Sequence, residues 1–138
     1  MLYETPLRVA GRYLLAGLMV MMGVLHFTHT DSFASIMPAY LPWHVPLVLI
    51  SGVIEAALGV LLLAERTRVA AAYALLALFV AVFPANINMA LHPELHVVGL
   101  PAWMPQPSAT ALWVRLPLQL LLAAWALRYT SQSRIPRG

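Results

Sequence analysis

Four stretches of this chain, over about 9–27, 46–64, 69–91 and 111–129, consist almost entirely of apolar side chains. Each is near the roughly 20 residues needed to cross a bilayer core. A chain of 138 residues with four such stretches has little length left for anything else. Only 9% of its residues are charged, against about 25% in an ordinary soluble domain. The expected fold class is therefore all-α: an integral membrane bundle of four transmembrane helices forming one domain over residues 1–130. Residues 131–138 read as a flexible polar tail, and no separate soluble catalytic module is expected.

Local signals refine the stretches. Pro46 suits the first turn of the second helix, and Pro84 stands near the far end of the third. The fourth is interrupted by Arg115, Pro117 and Gln119. Periodicity adds little, because a helix facing lipid on one side and neighbours on the other is apolar nearly all round. The first stretch, entered through Arg8 and Arg12, reads as a span rather than a signal peptide, since no A-x-A-type site follows Phe27. Both arginines are expected to snorkel toward headgroups.

Orientation follows from the arginines. The net charge of +3 is carried without lysine, and five of the eight arginines lie in the first twelve or last eleven residues. That distribution suits a membrane surface better than nucleic acid. Arg8 and Arg12 precede the first helix, Arg66 and Arg68 fill the turn between the second and third, and Arg128, Arg134 and Arg137 follow the fourth. The loops 28–45 and 92–110 hold none. The positive-inside rule then puts both termini in the cytoplasm. The two longer loops are rich in proline and aromatics, including Tyr40, Trp43 and Trp103. They are expected to lie along the outer interface, partly capping the bundle.

Polar residues within the spans are the candidates for function, because a charge at the centre of a membrane helix costs roughly 2.5–3.5 kcal/mol on insertion scales. They are His26, Glu55, Asn86, Asn88, Arg115 and Gln119. All fall in the middle or outer half of the spans. The economical arrangement is one outward-facing pocket in which Glu55 and Arg115 compensate each other, directly or through His26, an asparagine or water. Ser51, Gly52, Glu55 and Gly59 share a stripe, so small residues flank the carboxylate and allow close packing. Asn86 and Asn88 point in different directions in an unbroken helix. Pro117 frees a carbonyl that Gln119 or Arg115 could satisfy. Such a cluster can be a structural clasp, a ligand site or an ion path. The inner halves carry almost no polar residue beyond Arg12, which argues against a path.

Other chemistry is sparse. His92 and His96 have the i, i+4 spacing of two metal ligands, and His26, His29 and His44 lie on the same side. Pro93 stands inside that pair, however, and no metal site is assigned. There is no cysteine, so disulfides, thiolate metal sites and dithiol relays are excluded. No Gly-rich phosphate loop, H-E-x-x-H or nucleophile elbow is present.

Gly23-Val24-Leu25-His26-Phe27, Ser51-Gly52-Val53-Ile54-Glu55, Phe83-Pro84-Ala85-Asn86-Ile87 and Arg115-Leu116-Pro117-Leu118-Gln119 together resemble the DoxX-like family, over nearly the whole chain and in order. The resemblance implies a four-helix bundle of the bacterial inner membrane. The family's namesake relatives are subunits of a thiosulfate:quinone oxidoreductase, and others assist membrane partners. Only His26, Glu55, Asn86, Arg115 and Gln119 carry over as ligand-binding candidates, and thiosulfate activity does not. The expected function is binding of a quinone-like or lipid small molecule, in support of a redox partner. The alternative is a non-enzymatic assembly factor or chaperone whose polar cluster is purely structural. The chain has no electron carrier of its own, so redox chemistry would need a bound quinone or a second subunit. It reads as an accessory subunit at most. A protein partner or a second copy of the chain is left open.

Overall fold

The first helix, α1 (Pro6–Thr28), begins directly after Thr5, whose backbone is extended. The Thr5 Oγ1 accepts from the Arg8 N–H at 3.2 Å, and Pro6 occupies the first turn, where its missing N–H costs nothing. These polar cap residues put the start ahead of the first apolar run. The same device starts the last long helix, α5 (Ala109–Leu127), where Ser108 Oγ accepts from Ala111 N–H at 3.2 Å. Between them lie α2 (Thr30–Ser35), α3 (His44–Leu61) and α4 (Arg68–Leu91). A 3₁₀ turn follows at Pro93–Val97. This computed structural model describes residues 2–97, 108–131 and 133–134.

Four of the helices are long and apolar enough to cross a membrane, with mean hydropathy between 1.4 and 2.0. They run alternately up and down. The termini and the 62–67 turn therefore gather at one end, called here the turn end, and α2 and the 3₁₀ turn at the other, the loop end. The loop 28–45 is partly helical through α2. It closes at Trp43, whose φ of 55° is left-handed although it is no glycine and whose side chain is exposed. The Leu100–Pro105 run with Trp103, the side chain of His96 and the tail beyond Arg134 lie outside the described residues. Ser133–Arg134 pair in parallel with Leu2–Tyr3.

The bundle is assembled from two close pairs, α1 with α3 and α4 with α5. The first pair is close because glycines meet. A Cβ on Gly23 would lie 2.6 Å from the Gly52 carbonyl oxygen, and one on Gly59 would lie 2.8 Å from the Ala16 oxygen. Without side chains in the way the backbones approach and gain dispersion contacts, which must drive association where lipid is as apolar as leucine. The small stripe expected on α3 is thus the seam with α1.

Toward the turn end all four long helices share one apolar core. It holds Leu15 and Met19, Leu58 and Leu62, Leu75 and Phe79, with Ala126 and Tyr129. A second, smaller cluster at the loop end joins Ile36, Met89, Ala90 and Leu112. Outward-facing residues remain large and apolar: Leu14, Met21, Val53, Val80, Leu120 and Leu121 are exposed. Such a surface suits contact with a lipid bilayer.

Candidate functional site

The two helix pairs divide the polar residues between them. On α1 and α3, His26 Nδ1 lies 3.6 Å from Glu55 Oε2, and both side chains are about nine-tenths buried, at 11% and 12% exposed. The glycine seam explains the meeting, because the His26 Cβ packs 2.6 Å from where a Gly52 Cβ would stand. The imidazole is held on two further sides. Its Nδ1 is 2.8 Å from the Met22 carbonyl, and its ring stacks on Phe33 of α2 at 4.0 Å and 17°.

On α4 and α5, Asn86 Nδ2 donates to Gln119 Oε1 at 2.5 Å, and Gln119 Nε2 donates to the Phe79 carbonyl at 2.7 Å. Phe79 O lies next to the Val80 carbonyl, the one that Pro84 leaves without its helical donor. Gln119 therefore serves a turn of α4 rather than the carbonyl freed by Pro117 on its own helix. Asn88 turns away and donates to Ile36 O at 2.9 Å, so the two asparagines do point apart.

Arg115 stands by itself. It is exposed, and its Nη1 reaches the Met89 sulfur at 3.7 Å. Among the described residues it forms no ion pair with Glu55. The direct compensation of Glu55 by Arg115 is thus not made: one belongs to the α1–α3 pair and the other to α5, and histidine takes the place beside the carboxylate. Of the loop histidines, His92 is exposed beside Glu94 at 3.3 Å, and His44 Nε2 meets Pro38 O at 3.2 Å. Among the described residues no three potential metal ligands gather.

A further polar centre gathers Glu4 with residues that the sequence suggests only as arginines near the membrane surface. At the turn end Glu4 is fully buried, its carboxylate 3.2 Å from Arg12 Nη2, 2.8 Å from Arg68 Nη1 and 3.9 Å from Arg8 Nε. Arg12 is 1% exposed and donates to the Leu62 and Leu63 carbonyls at 3.2 and 2.6 Å. It thereby caps the negative end of α3. Arg8 donates to Arg128 O past the end of α5 and to Ser131 Oγ, and Tyr129 O–H donates to Arg8 O at 3.0 Å. Arg12 therefore does not snorkel, because a buried carboxylate and open helix carbonyls hold it inside. The signal was present in the spacing: Glu4, Arg8 and Arg12 recur every four residues.

Between this ionic plug and the His26–Glu55 pair lies the apolar core of Leu15, Met19, Leu58 and Leu75. The fold and its polar groups thus define a class: an all-helical bundle with four potential membrane spans and separate polar layers toward its two ends. More particularly, the chain belongs to a family described as a domain of unknown function, DUF8561, whose model matches residues 15–130. That span contains His26, Glu55, Asn86, Arg115 and Gln119, whereas Glu4, Arg8 and Arg12 precede it. No curated protein and no solved structure matches the chain.

Proposed function

We propose that this protein is a DoxX-like, multi-pass protein of the bacterial inner membrane that binds a quinone-like or lipid small molecule in the outer half of the bundle. The observation that carries this reading is Glu55, a largely buried carboxyl group that accepts no hydrogen bond among the described residues and has only the His26 imidazole nearby at 3.6 Å. Burying such a group without partners costs several kcal/mol, and a bound molecule offsets that cost. Asn86 and Gln119 are already engaged with each other and with Phe79 O, so binding rests on His26 and Glu55. Arg115 is left to meet a headgroup at the rim.

The same reading puts the termini in the cytoplasm, where the arginine-rich turn end meets the inner leaflet, and the longer loops at the outer interface. The protein is then an accessory subunit of a quinone-linked oxidoreductase rather than a catalyst by itself. A transporter is disfavoured by the apolar core between the two polar layers.

A second reading has one observation in its favour. Ala70, Ala77, Ala81 and Pro84 are exposed along α4, and Gly17 has nothing within 4 Å of its missing Cβ. Small residues facing lipid suit contact with a membrane partner, as an assembly factor would require. Mass spectrometry of solvent extracts from protein purified in mild detergent separates the two readings. A near-stoichiometric isoprenoid or quinone in the wild type that is lost in Glu55→Leu supports the binding site. The same generic lipids in both, with both folded, would move the function to the α4 surface.

A further inference from the structure

The hydrogen-bonding groups around Glu55 are unbalanced, and the imbalance specifies the ligand. Apart from Arg115 at the rim, the side-chain donors whose bonds are described around this pair are turned to backbone carbonyls. The Met22 carbonyl lies 2.8 Å from His26 Nδ1 and has no proton to give, so Nδ1 carries one and donates it there. Ser51, one turn before Glu55, donates its hydroxyl to Val48 O at 2.8 Å. Thr30 Oγ1 donates to His26 O at 2.8 Å. Across the bundle, Gln119 and Asn88 direct their amides to the Phe79 and Ile36 carbonyls. What stays open is acceptor capacity: the two Glu55 oxygens and, with Nδ1 protonated in a neutral ring, the lone pair of His26 Nε2. Even a protonated Glu55 adds one donor to more than one remaining acceptor.

The geometry points to a ligand that donates: resting on the binding reading above, we infer that the His26–Glu55 site selects a hydroxyl-bearing headgroup, phenolic or hydroquinone in kind, over a carbonyl-bearing one. A quinone offers only acceptors, whereas the described donors beside this pair already serve carbonyls. Its reduced form presents two O–H groups and otherwise nearly the same shape. Phe33, stacked on one face of the imidazole, leaves the ring edge and the carboxylate as the polar contact. No electron transfer is part of this inference, only the choice between two forms.

A matched pair of probes tests it, decylubiquinol and decylubiquinone, titrated anaerobically against the whole chain in nanodiscs, with the shift in thermal unfolding as readout. One hydrogen bond to a carboxylate is worth about tenfold in affinity or somewhat more, so the quinol is expected to bind about tenfold tighter to the wild type. Glu55→Gln, close in shape but able to donate, is expected to erase or reverse that ratio while the unliganded protein unfolds at a similar temperature. Equal or tighter binding of the quinone to the wild type would overturn the preference and leave the binding site standing. Binding of neither form would overturn both.

Discussion

Glu4 and Arg68, 64 positions apart in sequence, meet at 2.8 Å inside the turn end of the bundle. This contact ties the segment before α1 to the first residue of α4. With Arg12 it also closes the end of α3. A buried carboxylate among guanidinium groups is stable only while all members are present, because removing one leaves uncompensated charge. Glu4→Ala should therefore destabilise the fold by about 3–5 kcal/mol, read from denaturation in detergent against Arg66→Ala, an exposed arginine two residues before Arg68. A Glu4→Ala protein as stable as the wild type would mean that the plug holds nothing.

The glycine seam gives a second prediction with its own control. A Cβ at Gly52 would stand 2.6 Å from the His26 Cβ and 2.9 Å from Gly23 O, whereas one at Gly17 meets nothing within 4 Å. Gly52→Ala is expected to cost about 1–3 kcal/mol as backbone moves to make room. Gly17→Ala should cost nothing. Equal effects of the two on thermal unfolding would contradict the close approach of α1 and α3.

The Asn86–Gln119 bond predicts coupling between α4 and α5. In a double-mutant cycle with Asn86→Leu and Gln119→Leu, the interaction energy should be about 0.6 kcal/mol and no more than about 1.7, the range measured for polar contacts between membrane helices. Ligand content should not change in either variant. Additive effects on stability would show that the two side chains do not depend on each other.

Because the chain lacks cysteine, single engineered thiols report orientation without background. Glu65→Cys, in the exposed turn between α3 and α4, should react with an impermeant maleimide only after the membrane is opened. Ala39→Cys, exposed in the loop before α3, should react in intact cells. The opposite pattern would invert the topology.

The four spans were legible because burial in lipid demands long apolar runs and little else produces them. Helix ends were less so. Thr5 and Ser108 are polar and precede the apolar runs they cap, so hydropathy alone starts α1 and α5 too late. The small stripe around Glu55 was readable as a packing face, and the divergence of Asn86 and Asn88 followed from helical geometry. Pairing across the bundle was not readable. Helical spacing says which residues share a face but not which helix that face meets. It leaves Glu55 paired with Arg115 directly or through His26, an asparagine or water, and only the fold shows His26 as the group beside the carboxylate. The Glu4–Arg8–Arg12 spacing was visible, yet a carboxylate ahead of the first span reads as solvated until the fold buries it.

The most direct test of the account is native mass spectrometry of the intact chain released from mild detergent, comparing wild type, Glu55→Leu and Gln119→Leu. The account predicts one small-molecule adduct per chain in the wild type, retained in Gln119→Leu and absent in Glu55→Leu. Adducts indistinguishable among the three folded proteins would contradict a site at His26 and Glu55.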